Sequence, residues 1–97
     1  MAYKVDVSPR AQIEIIDAIE FYDVRSKEAT LNFIIELEKA YGILKHNPFF
    51  ALRYKNVRSI PLNKYPFSLF FVIDENLNIV KIKSCFHDKR NPSNRPK

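Results

Sequence analysis

The sequence of 97 residues contains one glycine, one cysteine and no tryptophan. One glycine excludes a glycine-rich loop that cradles phosphates, and it leaves few turns that require φ > 0. One cysteine excludes an internal disulfide framework and predicts a reducing, cytoplasmic setting. No stretch approaches the roughly 18 apolar residues of a membrane span, and the N-terminal residues show no apolar segment of the signal-peptide kind, so neither is expected.

Aromatic and aliphatic residues are well represented. Hydrophobic residues make up 46% of the chain and aromatic residues 13%, with eight phenylalanines and five tyrosines. That content fills one modest core, so residues 1–97 are predicted to form a single domain. The last stretch, about residues 93–97, is polar and basic and is predicted to be a flexible tail.

Charge is divided unevenly along the chain. Residues 1–44 contain five Lys or Arg and eight Asp or Glu, a net charge of −3. Residues 45–97 contain eleven Lys or Arg and three Asp or Glu, a net charge of +8. The second half carries the field that would attract an anionic partner, and the alternative is a solvated basic surface that keeps the protein soluble.

The first half of the chain predicts a short strand followed by two helices. Apolar and polar residues alternate over residues 3–7, and Ser8-Pro9 has the pattern of a helix start. Apolar residues then recur at helical spacing over residues 9–25 and again over 28–45. Asn47-Pro48 ends the second helix. Because the break between the helices is short, we predict an antiparallel helical hairpin.

The second half predicts three strands, over residues 56–62 and 67–73 and from Leu77 or Asn78 onward. The middle strand is apolar on both faces and is predicted to be central. The order β-α-α-β-β-β indicates an α+β domain, with the helical hairpin packed on one face of a mostly antiparallel sheet. The other face of the sheet is called the open face below.

Strict alternation along the last strand divides its side chains between the two faces of the sheet. The side predicted to pack on the core carries Val80, Ile82, Ser84 and Phe86. The side predicted to lie on the open face carries Lys81, Lys83, Cys85 and His87. Two lysines and a histidine on an uncovered face predict an acidic partner.

His87 is the best candidate for proton transfer. It is predicted to end the last strand and is followed by Asp88, Lys89 and Arg90. A histidine can transfer protons near neutral pH, and neighbouring cations can stabilise a developing phosphate charge, which would suit metal-free RNA cleavage. The alternative is that His87 closes the strand by hydrogen-bonding the turn.

Three basic residues lie near the first strand of the second half. Arg53 and Lys55 precede this strand, and Arg58 lies on it, on the same face as Ile60 and Leu62. Arg58 would either contact an anion or cover the edge of the core with its aliphatic part. The pair formed by Cys85 and His87 lacks further ligands, so neither a metal nor a cofactor is predicted.

Four segments, in this order, resemble the RelE/ParE superfamily of small bacterial toxins. They are Asn47-Pro48, VRSIPL over residues 57–62, KYPFSLFFVID over 64–74, and FHDKRNP over 86–92. The resemblance covers almost the whole chain and implies the same β-α-α-β-β-β fold. It also implies the toxin of a type II toxin–antitoxin system, bound and neutralised by a small antitoxin protein in a hetero-oligomer.

The superfamily has two branches, and the resemblance favours the ParE-like one, associated with plasmid stabilisation and inhibition of DNA gyrase. The segment from Tyr65 to Ser68 resembles that form, whereas RelE-like nucleases commonly have arginine where Ser68 stands. The alternative implied activity is a ribosome-dependent, metal-independent mRNA endoribonuclease with His87, Arg58 and Arg90 as catalytic residues. A further alternative is a non-toxic basic interaction module.

Contact with the antitoxin or the target is assigned to basic side chains. An acidic segment that orders on binding would suit them, and its affinity is predicted to weaken with salt. The assigned residues are Arg53, Lys55, Lys81, Lys83, Lys89 and Arg95.

Overall fold

A serine side chain caps the N-terminus of each of the two helices. In the computed structural model, which describes residues 2–88, Ser8 Oγ accepts the Ala11 N–H at 3.1 Å, and Pro9 occupies the first helical turn. Ser26 Oγ accepts the Ala29 N–H, also at 3.1 Å. Each hydroxyl satisfies an N–H group that has no partner within its own helix. The helix start predicted at Ser8-Pro9 is confirmed.

The elements follow the predicted order, with one addition. They are β1 (Lys4–Val7), α1 (Pro9–Asp23), α2 (Lys27–His46), β2 (Leu52–Tyr54), β3 (Val57–Pro61), β4 (Phe67–Asp74) and β5 (Ile79–His87). The added element is β2, a three-residue strand that the sequence did not predict. The strands form one sheet in the order β1-β5-β4-β3-β2, in which only the β1–β5 pair is parallel. The α+β prediction is therefore confirmed.

The main core lies between the helical hairpin and the sheet. The helices contribute Ala11, Ile15, Ala18, Phe33, Leu37, Ala40 and Leu44, and the chain beyond them contributes Ile60, Leu62, Phe67, Leu69, Phe71, Val80, Ile82 and Cys85. Burial of these apolar side chains is the principal stabilising contribution. No helix among residues 2–88 is long and apolar enough to cross a membrane.

Four aromatic rings join both helices to the sheet. Tyr22 of α1, Phe33 of α2, Phe67 of β4 and Tyr65 of the preceding loop form an aromatic cluster with centroid separations of 5.2 to 6.4 Å. The Tyr65 hydroxyl donates to the Ala29 carbonyl at 2.8 Å, which ties the loop to the start of α2. Four of these five ring contacts are edge-to-face, an arrangement that adds to the gain from burial.

A β-bulge at Lys83 changes the faces of β5. Phe71 lies opposite Ile82 while Phe70 lies opposite Ser84, so Lys83 is an extra residue on β5. Beyond it, Cys85 joins the core under the helices, and Phe86 packs on the open face with Phe70. The predicted faces of Cys85 and Phe86 are therefore wrong, because the alternation does not continue through Lys83.

Helix α1 holds this bulge in place. Glu14 Oε1 accepts the Ser84 hydroxyl at 2.9 Å and the Cys85 N–H at 3.0 Å. Ser8 Oγ donates to the Lys83 carbonyl at 3.1 Å. One carboxylate thus satisfies two polar groups that the bulge leaves buried.

The Tyr41 hydroxyl makes the stability sensitive to high pH. Tyr41 packs against the core, and its burial, together with the charges of Cys85 and Glu38, raises its pKa to about 12. Folding therefore favours the neutral phenol. The stabilisation that comes from keeping Tyr41 neutral is fully present below pH 10, the pKa of tyrosine in the unfolded chain. It is lost as the pH rises through about 12, the pKa in the folded protein.

We expect the free energy of unfolding to fall by about 1–2 kcal/mol between pH 10 and pH 12, and to fall less in Tyr41→Phe. Urea denaturation at several pH values would measure the difference. Burial also raises the pKa of Tyr22 and of Tyr65, which both proteins retain, so a residual loss is expected in the variant. Equal losses in the two proteins would contradict the role of Tyr41.

Candidate functional site

The open face of the sheet carries a depression of about 150 Å³ beside the ends of β4 and β5. Its lining comprises Arg53, Ser59, Ser68, Phe70, Phe86 and Asp88. Arg53 Nε donates to Ser59 Oγ at 2.8 Å, and Ser68 Oγ donates to Asp88 Oδ1 at 2.8 Å. The depression therefore combines a guanidinium with a carboxylate, over a floor of two phenylalanine rings.

Arg58 lies on the other side of the sheet and is engaged within the fold. It shares the helix-facing side of β3 with Ile60, as predicted. Its Nη1 donates to the Phe50 carbonyl at 2.6 Å, and its Cζ lies 5.4 Å from the centroid of the Phe49 ring. Both contacts hold the guanidinium against the segment that links α2 to β2.

His87 also lies on the helix-facing side, in a cleft of about 410 Å³ between α1 and the end of β5. This α1–β5 cleft is lined by Glu14, Asp17, Ala18, Phe21, Tyr22, Pro66, Phe67, Cys85 and His87. The imidazole packs edge-on to the Phe67 ring, with 5.0 Å between centroids. The prediction that His87 shares a face with Lys81 is wrong, because the bulge at Lys83 rotates the end of β5.

The residues predicted for RNA cleavage are not brought together. In the sheet, Arg58 lies opposite Phe71 and His87 lies opposite Phe67. These two positions are four residues apart on β4, about 13 Å along the strand. The third residue of the set, Arg90, lies outside the described residues.

The predicted binding lysines are spread along the sheet. Lys81 Nζ, on the open face, lies 3.8 Å from Asp74 Oδ2. Lys83 is exposed at the bulge, and Lys55 occupies the β2–β3 turn with a φ of 48°. The other two predicted basic contacts lie outside the described residues: Lys89 and Arg95.

The Cys85 thiol is buried and lines the α1–β5 cleft with His87. Over residues 2–88, no three His, Cys, Asp or Glu side chains are grouped so that they could hold a metal ion. The sequence did not predict that Glu14 and Asp17 would line one cleft with His87, because acidic residues on an amphipathic helix have the pattern of a solvated surface.

Several solved structures share this fold at low sequence identity. A chain of the chromosomal ParDE TA system from P. aeruginosa is 15% identical, with a TM-score of 0.75, over 89% of this chain and 96% of that one. A chain of the toxin–antitoxin complex RelBE2 from Mycobacterium tuberculosis is 18% identical, with a TM-score of 0.62, over 90% and 92%. A chain of the YoeB dimer from Staphylococcus aureus is 15% identical, with a TM-score of 0.57, over 88% and 95%.

These likenesses confirm the fold that the resemblance to the RelE/ParE superfamily implied. No protein-family model matches the chain, and no curated protein matches it.

Proposed function

We propose that this chain is the toxin of a type II toxin–antitoxin pair, of the ParE-like branch, and that a cognate antitoxin neutralises it. It arrests growth by binding a protein target, with DNA gyrase as the first candidate. The observation that carries the proposal is a fold shared over 89% of the chain with a ParDE system and over 90% with a RelBE2 complex.

The Ser68–Asp88 pair supports a target other than RNA. Cleavage of RNA without metal needs cations directed at the reacting phosphate. At the position where RelE-like nucleases commonly have arginine, Ser68 donates to the Asp88 carboxylate at 2.8 Å. A carboxylate at this position repels a phosphate. The open face is therefore better suited to a protein surface than to phosphoryl chemistry.

The orientation of His87 supports the same choice. A general base must lie within hydrogen-bond reach of the proton that it abstracts. His87 lines the α1–β5 cleft, whereas Arg58, on the same side of the sheet, donates to the Phe50 carbonyl and lies opposite Phe71, four positions along β4 from the partner of His87. The two side chains are therefore not placed to act on one phosphate.

Antitoxin binding is expected to combine charge with apolar contact. The basic residues of the open face suit an acidic segment, and the outer surface of α2 leaves Leu31 62% and Ile35 49% exposed. A segment that orders across both surfaces would bury apolar area and pair charges. Its affinity is expected to weaken with salt because the exposed charges are screened.

Induced expression, with mRNA integrity and gyrase supercoiling scored in parallel, tests the proposal. We expect growth arrest with intact mRNA, inhibited supercoiling by the purified chain, and unchanged arrest in a folded His87→Ala variant. Cleaved mRNA on translating ribosomes, lost in His87→Ala, would instead indicate the endoribonuclease. Intact supercoiling at saturating protein would remove gyrase from consideration, and harmless expression would indicate the basic interaction module.

A further inference from the structure

The α1–β5 cleft differs from the basic open face because its lining is apolar and acidic. Its apolar walls include the rings of Phe21, Tyr22 and Phe67, and its charged rim includes the carboxylates of Glu14 and Asp17. At about 410 Å³ it has room for one long side chain, since water occupies about 30 Å³ per molecule. It combines apolar walls with a few polar groups, as ligand sites commonly do.

Charge at the rim favours a cation. Glu14 is committed to the fold, because Oε1 accepts from Ser84 and Cys85, and Oε2 lies 3.4 Å from Arg10 Nε. Asp17 is exposed and forms neither a hydrogen bond nor an ion pair with any residue in the range 2–88. Its carboxylate is therefore available to a ligand.

The whole of α1 is acidic, which extends this field beyond the rim. Between Pro9 and Asp23 it has one basic side chain, Arg10, and four acidic ones: Glu14, Asp17, Glu20 and Asp23. This net charge of −3 contrasts with +4 over residues 45–88, which contain seven Lys or Arg and three Asp or Glu. A cationic ligand would thus be drawn to α1 rather than to the sheet.

The aromatic wall favours a guanidinium over an ammonium. A guanidinium is planar, less strongly hydrated, and able both to stack on a ring and to pair with a carboxylate through two N–H groups. The Phe21 ring already carries such a contact from a cation of the chain itself, which an incoming guanidinium would displace from that ring. The Arg25 Cζ lies 3.7 Å from the centroid of Phe21, and its Nη1 donates to the Phe21 carbonyl at 2.7 Å.

The surface around Asp17 indicates what kind of segment would carry the guanidinium. Ile13, Asp17 and Phe21 are spaced four residues apart and lie along one stripe of α1. Ile13 is 61% and Phe21 50% exposed, so apolar side chains lie on either side of the carboxylate. A peptide with an arginine between apolar residues would match this stripe in both charge and polarity.

We propose that the α1–β5 cleft binds an arginine side chain of a partner protein, with the guanidinium paired to Asp17 and stacked on the aromatic wall. The inference does not depend on the toxin role, because it concerns a surface that the proposed target contacts do not use. It gives the chain two binding surfaces of opposite charge on opposite sides of the sheet.

An NMR titration of the full chain with N-acetyl-arginine amide tests the site, with the neutral isostere N-acetyl-citrulline amide as the matched probe. We expect the arginine compound to shift the amide signals of Ala18, Cys85 and His87, and to bind about tenfold more tightly than the citrulline compound. Asp17→Asn should lower the affinity for the arginine compound about five- to tenfold. Glu38→Gln, on the exposed side of α2, should leave its affinity unchanged.

Phe21→Leu keeps an apolar side chain but removes the ring, and it is expected to weaken binding about threefold. Because Phe21 and Asp17 are both exposed, neither variant should unfold the chain, which thermal melting would verify. Equal binding of the two compounds, shifts away from the cleft, no binding, or an unchanged affinity in Asp17→Asn would overturn the proposal. Growth arrest is scored without this ligand. Failure of the arginine site would therefore leave the proposed toxin function untouched.

Discussion

Glu14→Ala is expected to lower the free energy of unfolding by about 2–4 kcal/mol. The carboxylate is the acceptor for the Ser84 hydroxyl and the Cys85 N–H, and both of these residues are buried. Alanine would remove the acceptor of both donors at once. Such a loss is a large share of the 5–15 kcal/mol that stabilises a typical domain.

Glu14→Gln is the matched control for this result. Its amide oxygen can accept the same two hydrogen bonds, but without the strength that charge adds, so we expect about half of the loss. Urea denaturation would give both values, and hydrogen exchange at the Cys85 amide would report the bulge itself. A Glu14→Ala protein within 0.5 kcal/mol of the original would mean that strand pairing alone holds the bulge.

Phe33→Ala is expected to cost about 3–5 kcal/mol. Phe33 is fully buried and contacts Tyr22, Tyr65 and Phe67, so its removal leaves a cavity where both helices meet the sheet. The neighbouring rings cannot all move to fill the space, because each is fixed by a different element. Growth arrest should be lost together with the fold.

Phe33→Leu provides a comparison in which most of the volume remains, with an expected loss below about 1.5 kcal/mol. Phe49→Ala provides a second comparison, because that ring is 50% exposed and should cost much less than Phe33. Denaturation midpoints of the three variants would rank them. Similar losses for Phe33→Ala and Phe49→Ala would show that the aromatic cluster is not where the stability is concentrated.

The element order could be predicted because local signals are strong here. Ser8-Pro9 begins α1, Asn47-Pro48 follows α2, and apolar periodicity identifies β4 as a strand buried on both faces, which the structure confirms. Strand β2 could not be predicted in this way. Its three residues, Leu52–Tyr54, have no strand pattern of their own and are held by pairing with β3.

The faces of β5 beyond Lys83 could not be predicted, because what sets them is distant in sequence. The bulge is held by Glu14, 70 residues before Ser84, and Lys83 itself is an ordinary strand residue with no local signal of a bulge. Alternation therefore predicted His87 on the same face as the lysines. In the fold it lines the α1–β5 cleft together with Glu14 and Asp17 of α1. The residues that follow the bulge include Cys85 and His87, which line the α1–β5 cleft that the sequence did not indicate.

The parallel pairing of β1 with β5 fixes an order of assembly. Val5 lies opposite Val80, so the first strand has no strand partner until residues 79–82 have been made. The helical hairpin needs only local contacts and can form early, whereas this pairing must close a long loop and forms late. During synthesis the chain therefore has its helices before it has a complete sheet, an α1–β5 cleft or a depression on the open face. A growing chain cannot act through either surface before β5 has been made.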